Sequence, residues 1–434
     1  MKKHCKIKAR FLIVLIATLL PLNNVTAATV IHAGTLFDGT GSNTLEEMSI
    51  VIEGNRILRI ETGYIDPEPN DEYIDLTGYF VLPGLIDMHV HLISEYSSRS
   101  YQESISLNAS DYAIRAVANA QKTLLAGFTS VRNLGDSDNV TVSLRRAIYK
   151  GIVPGPRLFT SGTTISSSGG HGDSTNSLRS SLTSDPGPEK GIVNNEQDGF
   201  KAVRYRYKEG SDLIKITATG GVLSNAKDGQ NPQLTEEEIK TIVRAAKDYN
   251  FKVAAHAHGS EGIKRAVRAG VDSIEHGTLM DSEGMKLMRD NGVYYVPTLL
   301  AGAWVAEKAL QEGFFPDLVR PKALEIGPKL QDTFAKAYQS GVKIAFGTDT
   351  GVSAHGKNAE EFSLMVAAGM PPVQALLSAT REASKLLGQE NNLGSIRTGN
   401  FADIIAVSGN PLEDISIIEN VDFVMKNGTV HKAP

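Results

Sequence analysis

The 434-residue chain is 41% hydrophobic, enough for a large core and for more than one domain. Its net charge is −5 and becomes −10 without the five basic residues of the first 27, which excludes a surface built for nucleic-acid phosphates or anionic membranes. The single cysteine, Cys5, lies in that leading segment, so the rest of the chain has neither disulfide nor thiolate chemistry.

Taken from the start, Lys2, Lys3, Lys6, Lys8 and Arg10 precede an apolar stretch, Phe11 to Leu22, too short to span a bilayer comfortably. Val25-Thr26-Ala27 then offers small residues at positions −3 and −1 of a cleavage site. This order reads as a signal peptide over residues 1–27, cut after Ala27. It predicts a bacterial periplasmic or secreted protein with no stable membrane anchor after cleavage.

Short strand patterns follow at Thr29–His32, Ser49–Ile52 and Arg56–Ile60, separated by turn signals such as Asp38-Gly39 and Glu53-Gly54-Asn55. The C-terminal end has the same texture, at Ala402–Val407 and Phe423–Val430. These two ends, residues 28–82 and 389–434, predict one composite β-sandwich domain. Between them, eight apolar strand-like runs occur: Leu82–His89, Thr129–Leu134, Arg157–Ser161, Leu213–Thr217, Lys252–His256, Ser273–His276, Val293–Pro297 and Lys343–Thr348. Amphipathic stretches fall between them, including Glu236–Tyr249 behind a Thr235/Glu238 capping box, Glu261–Ala269 behind a Ser260 cap, and Ser282–Asp290. Strand–helix alternation predicts an α/β fold, a (β/α)8 TIM-type barrel over residues 83–388. Two long connections stand out, Thr163 to Val193 and the segment carrying Trp304, Phe314 and Phe315.

Chemistry in such a barrel sits at the C-terminal ends of the strands. His89 and His91 share one face of the first strand, as residues i and i+2 do, and can reach one metal ion together. Lys215 interrupts the fourth run, His256 closes the fifth, His276 the sixth, and Asp349 follows the eighth. A lysine inside a barrel costs roughly several kcal/mol if charged and unpaired. Burial beside cations favours the neutral amine, which can add CO2 to give a carbamate able to bridge two metals. The competing reading is a Lys215 salt-bridged to Asp349 or Glu275. His171 in the third loop, His258 two residues after His256, and His355 after the eighth strand are candidate substrate contacts. One of Tyr294 and Tyr295 must face inwards.

These residues resemble the amidohydrolase superfamily. Gly84-Leu85-Ile86-Asp87-Met88-His89-Val90-His91 matches its first-strand signature, and Lys215, His256, His276 and Asp349 match the remaining ligands of its two-metal, carbamate-bridged subtype. Gly169-Gly170-His171-Gly172, Thr219-Gly220-Gly221-Val222, Ala255-His256-Ala257-His258-Gly259 and His355-Gly356-Lys357-Asn358 resemble the imidazolonepropionase-related Xaa-Pro dipeptidase branch. The resemblance implies two divalent ions, usually zinc. His89, His91 and Asp349 would bind one, His256 and His276 the other, and N6-carboxylated Lys215 would bridge them.

The activity expected is hydrolysis of a C–N amide bond in a dipeptide (Xaa-Pro or Xaa-Arg/Lys type) or an N-acyl amino acid, with Asp349 as the general base. Its partners would be that small substrate and possible further copies of the chain, not nucleic acid. Two alternatives stay open: a single-metal cyclic-amide hydrolase or deaminase, and an inactive relative acting as a binding or scaffold protein.

Overall fold

The computed structural model of the protein describes Met1 and residues 27–179, 181–227 and 229–434. The signal-peptide reading falls almost wholly outside the described residues. Among the described residues, no helix is long and apolar enough to cross a membrane.

Strands β1 (Thr29–Leu36), β2 (Leu45–Glu53), β3 (Arg56–Thr62) and β4 (Glu72–Pro83) open the chain. Eight shorter strands follow: β5 (Leu85–Val90), β6 (Phe128–Asn133), β7 (Arg157–Thr160), β8 (Ile214–Thr217), β9 (Val253–Ala257), β10 (Ser273–His276), β11 (Tyr294–Val296) and β12 (Lys343–Ile344). Strands β13 (Ile404–Val407), β14 (Val421–Lys426) and β15 (Thr429–Lys432) end it.

Both chain ends contribute to one seven-stranded mixed sheet, ordered β15-β14-β13-β4-β1-β2-β3. Two separate facing sheets, as a sandwich would need, are not seen among the described residues. The alternation of side chains still buries both faces of β13 and β14. Ile404, Ala406, Phe423 and Met425 join a core with Ile31, Ile50 and Leu76, while Ile405, Val407, Val421 and Val424 pack into the central cluster. The hairpin between β14 and β15 turns on Asn427-Gly428, with φ of 53° and 73°. Two successive positive values suit this two-residue turn to the twist of its strands.

Strands β5–β7 form one parallel sheet and β8–β12 another, with helices between successive strands. Backbone bonds join the two sheets at both edges. Asp349 N donates to His89 O and His91 N to Thr350 O, each at 2.7 Å. At the other edge Ile165 N donates to Lys215 O at 2.9 Å and Thr217 N to Ile165 O at 3.0 Å. All eight expected strand runs of the middle segment are present.

The helix Glu236–Lys247 starts on the expected capping box, with Thr235 and Glu238 exchanging side-chain-to-backbone bonds. It buries Ile239, Ile242, Val243 and Ala246 along one stripe. Ser260 is the first residue of its helix rather than the cap: Gly259 occupies that position. The Ser260 hydroxyl instead donates to Asp281, whose own side chain caps the next helix, Ser282–Asn291.

Candidate metal centre

Six imidazoles converge where β5, β9 and β10 end. Ring centroids lie 5.3 Å apart for His89–His91, 5.0 Å for His89–His276, 4.7 Å for His256–His276, 4.7 Å for His256–His258 and 4.2 Å for the stacked pair His171–His256. His89 is buried within β5, and His91, one residue past it, keeps 29% of its side chain exposed. Asp349 Oδ1 faces Nε2 of His91 at 3.1 Å and Nε2 of His89 at 3.5 Å.

Hydrogen bonds behind these rings fix which nitrogens carry lone pairs. His89 Nδ1 lies 3.0 Å from Glu275 Oε2, and an ionised carboxylate only accepts, so Nδ1 donates and Nε2 is left as a lone pair. Burial pushes Glu275 up, but Arg132 and then His89 hold it down at about 2. His256 Nε2 lies 3.1 Å from Gly220 O, which also only accepts, so its lone pair is on Nδ1. His276 Nδ1 meets Thr298 Oγ1 at 2.8 Å, a hydroxyl that can accept its proton and so allow Nε2 the lone pair. Burial, then the Lys215 charge, pushes His89 down to about 4, and burial holds His256 and His276 well below the usual imidazole range. All three rings are neutral near pH 7, as metal binding requires.

The fit to a divalent cation rests on Asp349. Burial raises its pKa, while His89, His91 and Lys215 bring it down to about 2, so it is ionised. Its Oδ1 is buried without a well-directed hydrogen bond and meets the lone pair of His89 Nε2. Two lone pairs aimed at one point repel unless a cation lies between them. His89, His91 and Asp349 thus form a group able to hold a metal ion, with nitrogen and carboxylate donors suited to zinc.

Lys215 is 4% exposed, and burial lowers its pKa to about 8. Among the described residues no ion pair to Lys215 falls within 4.0 Å, while the charges of Glu275 and Asp349 act on it from farther off and favour its protonated form. It lines a cavity of about 260 Å³ together with His89, His91, His256, His276 and Asp349. His171 and His258 also line it, whereas His355 does not. His355 Nε2 faces Ser94 O at 3.0 Å and His91 O at 3.3 Å, so its ring braces the chain behind the site.

Neither tyrosine of β11 lines the cavity. Tyr294 shares a face with Ser273 by register and bonds Glu382 at 3.0 Å. Tyr295 points to the helices and donates to His276 O at 2.7 Å.

Sequence reasoning missed the support behind the rings. Arg132, fully buried on β6, donates to Met88 O at 2.6 Å, Ser273 Oγ at 3.1 Å and Glu275 Oε1 at 2.8 Å. Asp87, pushed up to about 6 by burial, accepts from Thr348 Oγ1 at 2.6 Å, Asn358 Nδ2 at 2.8 Å and His89 N at 3.0 Å. The available signal was a lone charge inside an apolar strand, at Arg132, Asp87 and Glu275 alike. Opposite the histidines the cavity wall is apolar, with Val222, Leu223, Val305, Ile326, Leu330 and Val352.

Comparison with known proteins gives a consistent picture. Residues 80–431 match the model of the amidohydrolase family. Ochratoxinase of Aspergillus niger is 31% identical over 435 residues, covering 94% of this chain and 87% of that protein. Among solved structures, a Xaa-Pro dipeptidase with methionine bound in its active site is 54% identical with a TM-score of 0.92, covering 94% of this chain and 100% of that one. A prolidase complexed with N-methylphosphonate-L-proline is 34% identical with a TM-score of 0.86, at the same coverages of 94% and 100%.

Proposed function

The chain belongs to the amidohydrolase family and is a hydrolase of C–N bonds, and from that premise we propose that it cleaves the amide bond of a dipeptide or an N-acyl amino acid at a two-metal centre. The observation that carries this reading is the set of lone pairs on His89, His256 and His276 converging with the ionised Asp349 around one cavity. Xaa-Pro dipeptides are supported by the prolidase and dipeptidase similarities; the Xaa-Arg/Lys type finds, among the described residues, no acidic side chain on the apolar wall to receive it.

His89, His91 and Asp349 would hold one ion, His256 and His276 the other, with Lys215 between them. Lys215 would reach that role as the neutral amine: Nζ bonds to the carbon of CO2, one proton leaves, and the product carries two oxygens that share one negative charge. The donor set suits zinc, which when bound supplies acidification of water and polarisation of the amide carbonyl. Asp349, ionised at neutral pH, takes the proton of the attacking water and returns it to the leaving nitrogen. His171 stacks on His256 and lines the cavity, where its ring would meet a substrate carboxylate. Burial, then His258, pushes His171 down to about 3, so this contact is a hydrogen bond from a neutral ring. His258, tethered to Thr278 Oγ1 at 2.8 Å, is held on the same cavity as a second polar contact for the substrate. The apolar wall receives an apolar substrate side chain.

The architecture belongs to the same proposal. The eight parallel strands are read as a closed (β/α)8 barrel over residues 83–388, with residues 28–82 and 389–434 as the β domain. Export with cleavage after Ala27 is part of it too. Ala28 N lies 2.9 Å from Asp71 Oδ1, so a freed α-ammonium meets a carboxylate.

The test is to assay the zinc-loaded protein against dipeptides and N-acyl amino acids while counting bound metal. Release of a free amino acid with two zinc ions per chain is expected. Turnover of none of these substrates at full zinc loading overturns the substrate reading. Full activity with one ion per chain moves the single-metal alternative ahead.

A further inference from the structure

The segment after β8 has no regular ladder, yet it touches the site at several points. Gly220 O receives the His256 Nε2–H, and Gly221 lies so close to His171 that a Cβ there would sit 2.2 Å from the ring. Val222 and Leu223 line the cavity. The base of this loop is closed by Gly220 N donating to Asn231 O at 3.1 Å. Consecutive glycines make such a loop soft, so its shape must be imposed from outside.

Lys322 is placed to impose it. It lies on the helix Arg320–Ile326, is 8% exposed, and its Nζ donates to Gly221 O at 3.0 Å, Ser224 O at 2.8 Å and Ala226 O at 2.7 Å. Burying an ammonium is costly unless its donors are met, and buried loop carbonyls need donors in turn. A second link runs alongside, Gln230 Nε2 to Glu325 Oε1 at 2.9 Å. Ile326, one turn along the same helical face as Lys322, lines the cavity.

We propose that Lys322 is a positioning residue for the metal site and the substrate contact: it clamps the Gly220–Ala226 loop so that Gly220 O holds the His256 ring in its ligating tautomer and Gly221 seats His171. Lys322 is not a ligand and does not touch substrate. Among the described residues it acts through three carbonyls, and it couples the helix that carries the apolar wall to the histidines. This inference rests on the two-metal reading above.

The experiment compares wild type with Lys322→Met, which keeps the stem without donors, and Lys322→Arg, which keeps donors. Zinc affinity is measured by chelator competition, with unfolding followed by circular dichroism. Wild type binding two zinc ions supports the premise; no zinc uptake by wild type overturns the premise and leaves the clamp without a site to serve. Lys322→Met is expected to unfold cooperatively but to bind one of its two zinc ions about 10- to 100-fold more weakly, the usual size of an outer-shell loss. Lys322→Arg should recover most of that affinity. In a double-mutant cycle with His171→Ala, the losses in kcat/KM should be non-additive, since both act through Gly221. Should Lys322→Met fail to fold, Lys322→Gln carries the same comparison with one donating amide left. Unchanged zinc affinity, equal weakening of both ions, or simple additivity with His171→Ala overturns the clamp.

Discussion

Replacing Glu275 by glutamine changes one atom and tests the tautomer argument directly. Glu275 Oε2 accepts from His89 Nδ1 at 3.0 Å, while Oε1 accepts from Arg132 Nη2 at 2.8 Å and Ser273 Oγ at 2.5 Å. An amide has one oxygen and one NH2 group to set in these places. With NH2 towards Arg132, two donors face each other and a buried guanidinium loses its partner, a cost of about 3–5 kcal/mol. With NH2 towards His89, the imidazole must accept at Nδ1 and carry its proton on Nε2, a smaller cost for a neutral ring. The second arrangement wins on these magnitudes. It turns the lone pair aimed at Asp349 into an N–H and removes a metal donor. Glu275→Gln should therefore bind metal at the His89–His91–Asp349 group about 10- to 100-fold more weakly, which at about 1.4 kcal/mol per tenfold is roughly 1.4–2.8 kcal/mol. Chelator competition with zinc reads the affinity, and thermal unfolding with and without EDTA reads the link to stability. A glutamine variant with wild-type zinc affinity would refute the assignment of His89 Nε2 as a ligating lone pair.

Four further outcomes are expected. Lys215→Ala should lose metal occupancy and nearly all activity, with partial recovery in formate, acetate or propionate but not chloride; two ions per chain with wild-type turnover would remove the carbamate bridge. Asp349→Asn should lower kcat by at least ~10²-fold, and a variant with full metal content and near wild-type kcat would take Asp349 out of the proton transfer. His171→Ala should lower kcat/KM with metal content unchanged, and free-acid dipeptides should outpace their amides, equal rates on both arguing against carboxylate recognition. Glu361, buried and accepting from Leu299 N at 2.9 Å and Leu300 N at 2.6 Å, is pushed up by burial to about 8. The folded state then holds a proton that the unfolded state releases above its ordinary range, so Glu361 makes stability fall as pH rises from about 4.5 to about 8. Urea unfolding of Glu361→Gln should lack that downward slope, and an unchanged slope would reject it.

The sequence made the strands of the middle segment legible because each is a short apolar run bounded by turn residues, and burial on both faces leaves little else to read. The capping box at Thr235 was legible because both of its bonds are local. Ser260 was not, since its hydroxyl goes to Asp281, a tertiary partner 21 residues away. Arg132 and Glu275 each stood out as a charge in an apolar strand, but their bond joins residues 143 apart, a pairing no local pattern encodes. His355 is the reverse case. Its residue type and position after the last strand read as a contact, and only the placement of its ring against Ser94 O shows that it braces the backbone.

The backbone at the strand ends was the least legible part. His276, Thr298 and Asp349 have φ of 69°, 56° and 58°, in the left-handed region. Such a conformation costs an L-residue roughly 1–2 kcal/mol, least for aspartate and most for a β-branched residue such as threonine. Local propensity therefore argues against all three, and Thr298 above all. What holds them is a closed set of bonds: Tyr295 OH to His276 O at 2.7 Å, His276 Nδ1 with Thr298 Oγ1 at 2.8 Å, Thr298 N to Gly347 O at 3.2 Å and Asp349 N to His89 O at 2.7 Å. Each bond ties a strained residue to another strand end. A glycine at 298 would relieve the backbone and at the same time release the ring of His276. Local stability and ligand geometry are thus opposed at this residue. The strained side chain is retained because the conformation that costs stability is the one that leaves His276 Nε2 free to face the cavity.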